Sequence, residues 1–108
     1  MGTRQESFAD FVLDQLAGLD GVSARRMFGG HGLYREAVFF GIVHDGRLYF
    51  RTDEASRADY LARGMRPFRP NPKQMLKNYL EVPVDIIESP RWLREWALRA
   101  VAAARGAA

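Results

Sequence analysis

The stretch VFFGIVHDGRLYFRT, residues 38–52, decides the fold. Two runs of aromatic and β-branched residues flank the pair Asp45-Gly46. Such runs favour strands, and an Asp-Gly pair favours a two-residue type I′ turn because both residues tolerate positive φ. We therefore predict an antiparallel hairpin with strands at about Val38 to His44 and about Arg47 to Thr52.

On the amino-terminal side of this hairpin, the sequence predicts a helix and a long strand. Apolar residues at helical spacing after Ser7 indicate an amphipathic helix that Ser7 caps and that Gly18 and Gly21 end. A strand follows from about Ala24 to Tyr34, and glycines at positions 29, 30 and 32 interrupt it. We interpret these glycines as a bulge that bends the strand; an anion-binding loop is the alternative.

On the carboxyl-terminal side, the sequence predicts two helices separated by a loop and an extended segment. Acidic residues at 53–54 and a glycine at 64 bracket a helix that ends at about Arg63. Prolines at 67, 70 and 72 indicate a loop, and residues 77–87 look extended. Ser89-Pro90 is a typical helix start, and the apolar stripe after it includes Trp92. Residues 105–108 should fray.

This order of elements, α-β-β-β-α-β(β)-α, predicts an α+β fold. The sheet should be mainly antiparallel, with the helices on one face, in a two-layer sandwich. At 108 residues the chain has the length of one domain, residues 1–108, with its core at about 7–104.

Composition excludes several classes of protein. The chain has no cysteine, so it has neither a disulfide nor a thiolate metal site. No apolar run approaches the ~20 residues of a membrane span, and the first residues lack the apolar stretch of a signal peptide. We therefore expect no membrane partner and a cytoplasmic location.

The net charge of +3 is unevenly distributed. Residues 25–77 contain eleven basic and five acidic side chains, an excess of six. No acidic residue lies between Tyr60 and Leu80, a stretch that holds five basic residues. This concentration of positive charge is typical of a surface that binds an acidic partner.

Three motifs carry a resemblance to a known family. They are MFGGHGLY at 27–34, FGIVHDGRLYF at 40–50 and YLEVP at 79–83. In this order and spacing, over roughly Phe8 to Ala104, they resemble the N-terminal domain of the TfoX/Sxy family, bacterial regulators of natural competence. The resemblance implies a secretion-chaperone-like α/β fold, no known catalytic activity and a role in regulating transcription. Full-length members carry a second, DNA-binding-like domain, and the 108 residues here leave no room for it. We therefore expect this chain to be a stand-alone copy of the N-terminal domain.

Catalytic, metal and cofactor sites are not predicted. His31 and His44 are the only histidines, whereas a zinc site needs three or four protein ligands. No serine lies in a nucleophile motif, and no carboxylate pair has a recognisable catalytic context. We therefore predict no enzyme, no cofactor and no small-molecule substrate, and an enzyme is the minor alternative.

Alternation along the strands predicts a candidate partner-binding surface. Leu48 and Phe50 should face the helices, so the other face should display Tyr49 among its arginine neighbours. Tyr79 follows the same rule on the late strand, and the proline-containing loop adds further basic residues. The predicted partner-binding residues are Arg47, Tyr49, Arg51, Arg66, Phe68, Arg69, Lys73, Lys77 and Tyr79.

Three uses of this surface follow from its chemistry. Tyr and Arg are common anchors of protein interfaces, which favours a protein partner or a homodimer. Nucleic acid is the alternative, since aromatic rings stack on bases and arginines neutralise phosphates. A solvated face without a partner, with arginine stems lying over the tyrosine rings, is the third alternative.

Overall fold

The hairpin predicted at residues 38–52 lies at the centre of a six-stranded antiparallel sheet in the computed structural model, which describes residues 4–27 and 29–106. The strand order is β1-β2-β3-β4-β6-β5. The strands are β1 (Val22–Met27), β2 (Gly30–Arg35), β3 (Val38–His44), β4 (Arg47–Arg51), β5 (Pro67–Asn71) and β6 (Gln74–Glu81). The helices are α1 (Arg4–Gln15), α2 (Glu54–Ala62), α3 (Val84–Ile87) and α4 (Pro90–Gly106). The α+β class and the antiparallel sheet are therefore confirmed.

The turn between β3 and β4 has the geometry that the Asp-Gly pair predicts. Asp45 and Gly46 both have positive φ, +51° and +72°. The turn sets a register in which Val43 pairs with Leu48 and Ile42 pairs with Tyr49. The predicted hairpin is confirmed, and its register decides which side chains face the helices.

The main core lies between the sheet and the helices. Val12 and Leu16 of α1 and Leu93 of α4 are fully buried against Phe40 and Phe50 of the sheet. The Gln15 side chain donates a hydrogen bond of 2.9 Å to the Ile87 carbonyl, which ties α1 to α3. The helices thus form one layer and the sheet the other, as predicted.

The ends of α2 and α4 also follow the sequence. The Asp53 carboxylate accepts a hydrogen bond from the Ser56 N–H (2.8 Å), and the Ser56 hydroxyl accepts one from the Asp53 N–H (3.0 Å). This reciprocal pair is a capping box at the start of α2. The Ser89 hydroxyl accepts a hydrogen bond from the Trp92 N–H at the start of α4. Trp92 itself is 48% exposed, so its predicted place in the buried stripe is wrong.

The predicted long strand at residues 24–34 is wrong, because the chain reverses within it. Met27 pairs with Gly30, so β1 and β2 form an antiparallel hairpin. Gly29 has a φ of +74° in the connection, and Phe28 lies outside the described residues. Gly29 therefore lies in a turn between two strands, and Gly30 and Gly32 are paired within β2, so the glycines do not form a bulge that bends one strand.

The predicted loop around the three prolines is also wrong. Residues 67–71 form β5, which pairs only with β6 and is an edge strand. An edge strand tolerates proline because half of its backbone groups face away from the ladder. Beyond β6, residues 84–87 form α3 instead of continuing an extended segment, and Ile86 and Ile87 are buried there.

The two terminal predictions fail at the residues that the structure describes. Ser7 lies inside α1, which already includes Arg4, and so does not cap the helix. Arg105 and Gly106 belong to α4 rather than to a frayed end, and residues 107–108 lie outside the described part. None of the helices described is long and apolar enough to cross a membrane.

Candidate functional site: the open face of the sheet

The side of the sheet opposite the helices, here called the open face, carries Arg25, Tyr34, Phe39, Ile42, Arg47, Tyr49, Arg51, Phe68, Tyr79 and Glu81. Leu48, Phe50 and Leu80 point into the helix-covered core. The alternation predicted from the sequence is thus confirmed for β4 and for the end of β6. It places Tyr49 and Tyr79 on the same face, as expected.

The tyrosines of the open face are buried rather than displayed. Tyr49 is 9% exposed and Tyr79 is 8% exposed, because they form a second apolar cluster with Ile42 and Phe68. The centre of the Phe68 ring lies 4.9 Å from the centre of the Tyr49 ring and 5.2 Å from that of the half-buried His44 ring. The expectation that the face displays its tyrosines is therefore wrong.

A row of stacked side chains crosses one end of the open face. The Arg25 guanidinium lies 5.2 Å from the centre of the Tyr34 ring, and the Arg51 guanidinium lies 5.6 Å from that of Tyr79. Between them, the centre of the Phe39 ring lies 5.2 Å from that of Tyr34 and 5.5 Å from that of Tyr79. The row thus has a cation at each end and three aromatic rings between, a favourable arrangement for cation–π contacts.

Burial also fixes the protonation of the two tyrosines. Loss of solvent raises the pKa of Tyr49, and the nearby Glu81 carboxylate raises it further. Loss of solvent raises the pKa of Tyr79 as well, although the Arg51 guanidinium opposes this rise. Both phenols are therefore neutral in the physiological range, and their rings contribute to packing.

Positive charge dominates the sheet. The six strands contain seven basic residues and one acidic residue, Glu81. The Glu81 carboxylate is 3.2 Å from the Arg47 guanidinium, so its charge is already neutralised. Arg25 and Arg51 therefore set the charge of the open face.

The β5–β6 hairpin carries the remaining predicted residues. Arg66, Arg69, Lys73 and Lys77 are exposed there, as a partner-binding role requires. Phe68 is instead 0% exposed, because it packs under the hairpin against Tyr49. The structure thus divides the predicted residues between the open face and the hairpin.

Sequence reasoning missed three residues of the stacked row. Arg25, Tyr34 and Phe39 were not among the predicted partner-binding residues. Alternation about the β2–β3 connection could have placed Tyr34 and Phe39 on one face, since they are paired across the two strands. Arg25 could not be placed because the β1–β2 turn was itself not predicted.

A surface cavity of about 510 Å³ in the helix layer is lined mainly by residues of α2, α3 and α4, including Trp92 and Trp96. The Arg63 and Arg99 guanidinium groups lie beside the Trp96 ring, with their carbon atoms 5.9 Å and 5.8 Å from its centre. Within residues 4–27 and 29–106, no group of three His, Asp or Glu side chains comes together that could hold a metal ion.

The comparisons with known proteins agree with the motifs. No curated protein is similar enough to this sequence to count as a match. The family model described as the TfoX N-terminal domain matches residues 14–104, which is most of the chain and includes all six strands. The chain therefore belongs to the TfoX N-terminal domain family.

Proposed function

We propose that this chain is a cytoplasmic, non-enzymatic regulatory module that binds an acidic protein partner on its open face. The observation that carries this proposal is the stacked row on a sheet face that the described helices leave uncovered. Arginine and aromatic side chains are enriched at protein interfaces. Membership of the TfoX N-terminal domain family supports a role in regulating transcription.

The charge of the open face favours an acidic partner over a second copy of the chain. A two-fold symmetric contact brings the same patch of two copies together. Arg25 and Arg51 of one copy would then face positive charge on the other, and Glu81 is already paired with Arg47. An acidic surface instead gains favourable contacts with both ends of the row.

Nucleic acid binding is the second candidate, and the β5–β6 hairpin favours it. Four basic side chains are exposed there, at positions 66, 69, 73 and 77, and none of them forms an ion pair within the described residues. A two-stranded ribbon of this kind can enter a groove of duplex DNA. The buried Tyr49 and Tyr79 rings make base stacking on those residues unfavourable.

Affinity capture with matched charge reversals tests the first candidate. The face variant is Arg25→Glu, and the control is Arg91→Glu in α4. The control matches because Arg91, like Arg25, is exposed and stacks on an aromatic ring. We expect the wild type and the control to retain one acidic protein from a nuclease-treated extract of the source organism, and the face variant to lose it. Equal capture by all three proteins would contradict the proposal.

Salt dependence tests the second candidate. Binding to a short fluorescent duplex is measured by anisotropy at several salt concentrations. If the hairpin contacts four phosphates, the slope of log affinity against log salt should be about −3.6. Lys73→Gln/Lys77→Gln should make this slope shallower by about 2. A flat salt dependence, or no binding at low salt, would exclude direct binding through the hairpin.

A further inference from the structure

A second feature, which shares only Arg51 with the stacked row of the open face, is a cavity of about 360 Å³ at the start of α2. It lies where the end of β4, the first turn of α2, the middle of β6 and the last turns of α4 meet. Its lining residues are Arg51, Thr52, Asp53, Arg57, Asn78, Ala102, Ala103 and Gly106. Its volume falls within the range of small-molecule binding sites, roughly 300–1,000 Å³.

Two arginines of this cavity have buried nitrogen atoms without a hydrogen-bond partner. The Nε atoms of Arg51 and Arg57 are both enclosed and unpaired. Neither guanidinium forms an ion pair with a carboxylate in the part of the chain that the structure describes. Buried polar atoms in native proteins are nearly always hydrogen-bonded, so two orphaned donors beside one cavity indicate a missing acceptor.

The protein already fixes the positions of these arginines. A terminal nitrogen of Arg57 donates a hydrogen bond of 2.7 Å to the Asn78 side-chain oxygen. The Asn78 carbonyl in turn accepts hydrogen bonds from the Thr52 N–H (2.7 Å) and the Thr52 hydroxyl (3.0 Å). Arg51 is held against the Tyr79 ring. Both guanidinium groups are therefore oriented before any ligand arrives, which lowers the entropic cost of binding.

The third charged group of the cavity opposes an anion and so offers a test. The Asp53 carboxylate is engaged by the Ser56 N–H at the start of α2, and this hydrogen bond lowers the pKa of Asp53. Asp53 is therefore ionised at neutral pH. It offsets one of the two arginine charges, which leaves the cavity with an excess of one positive charge.

We propose that this cavity binds a small phosphate-bearing ligand through Arg51 and Arg57. A single arginine fork satisfies the two oxygens of a carboxylate, whereas a phosphoryl group has a third oxygen for a second arginine. The same chemistry is present in a nucleic acid backbone, so the experiment must separate a free phosphate ligand from DNA.

Calorimetric titration with pyrophosphate at low salt tests this site, with citrate as the carboxylate comparison. Arg57→Gln should weaken pyrophosphate binding at least tenfold. Arg91→Gln removes an exposed arginine of α4 that does not line the cavity and should leave the affinity unchanged. Asp53→Asn keeps a good helix-capping side chain but removes the opposing charge, so it should tighten binding severalfold.

Three results of the titrations alone would overturn the proposal. They are equal binding of citrate and pyrophosphate, equal losses in Arg57→Gln and Arg91→Gln, and weaker binding by Asp53→Asn when its melting temperature is unchanged. Displacement of pyrophosphate by a short DNA duplex, with the same dependence on Arg57, would assign the site to a nucleic acid backbone and also overturn the proposal. Because the test uses no protein partner, its failure leaves the proposed role of the open face unaffected.

Discussion

Replacing Phe68 with alanine tests whether this residue serves the fold or a partner. Its side chain is fully buried between β5 and the open face, where it contacts Tyr49 and His44. Truncation of a buried phenylalanine costs about 3–5 kcal/mol, the sum of lost transfer free energy and a cavity. A domain of this size has a free energy of unfolding of roughly 5–15 kcal/mol, so the loss is a large share of it.

Urea unfolding monitored by circular dichroism measures this loss. We expect Phe68→Ala to lower the free energy of unfolding by at least about 3 kcal/mol with an unchanged m-value. The corresponding fall in melting temperature is roughly 12–24 °C for a domain of this length. Phe68→Leu keeps most of the apolar volume and should cost less than about 1.5 kcal/mol.

Phe11→Ala is the matched control, because Phe11 has the same side chain but is 42% exposed on α1. It should cost clearly less than Phe68→Ala, since much less apolar area is returned to water. If the two alanine variants lose similar stability, or if Phe68→Ala loses less than about 1 kcal/mol, the second apolar cluster does not stabilise the fold as argued.

Three further predictions concern pH and glycines. Hydrogen bonds from the Ser56 N–H and the Arg63 guanidinium lower the pKa values of Asp53 and Asp85 in the folded state. Their stabilising contribution is therefore present above the ordinary carboxyl pKa of about 4 and is lost as pH falls through the lower folded values. The urea midpoint of Asp53→Asn/Asp85→Asn should thus vary less than that of the wild type on acidification; parallel curves would contradict this. Gly32→Ala places a Cβ against the Met27 sulfur and 3.0 Å from the Phe39 ring, so it should lower the free energy of unfolding by about 1–3 kcal/mol, and an unchanged urea midpoint would contradict the packing. Gly46→Ala forces alanine to a φ of +72° and should cost about 1–2 kcal/mol in the same assay, whereas a stabilised variant would contradict the turn geometry.

The parts of the fold set by short-range patterns could be predicted from the sequence. The Asp45-Gly46 turn and the two strands beside it depend only on neighbouring residues. The start of α2 depends on Asp53 and Ser56, three residues apart. In each case the decisive contacts are made within one element or between adjacent ones, so a local pattern contains the necessary information.

The parts set by distant partners could not be predicted in the same way. β5 exists because β6 pairs with it, and its prolines are tolerated only because that strand lies at the sheet edge. α3 has four residues, and its place depends on burying Ile86 and Ile87 rather than on helix propensity. Local composition alone favours a loop and an extended segment at these positions.

The candidate site also has features that neighbouring residues predict and features that depend on distant parts of the chain. Alternation along β4 correctly assigned Tyr49 to the face opposite Leu48. It could not show that Phe68, 19 residues further along the chain, would cover the Tyr49 ring. A strand pattern identifies the face on which a side chain lies, whereas its exposure depends on what the rest of the chain places above it.

The second apolar cluster has a consequence for the kinetics of association. Because Ile42, Tyr49, Phe68 and Tyr79 already exclude water, docking of the proposed partner over these four residues would remove little further apolar surface. The free energy of binding must then come mainly from charge, through Arg25 and Arg51. Contacts of this type give rapid encounter, short residence and strong sensitivity to ionic strength. Such kinetics would suit the proposed regulatory role, in which the chain meets its partner repeatedly.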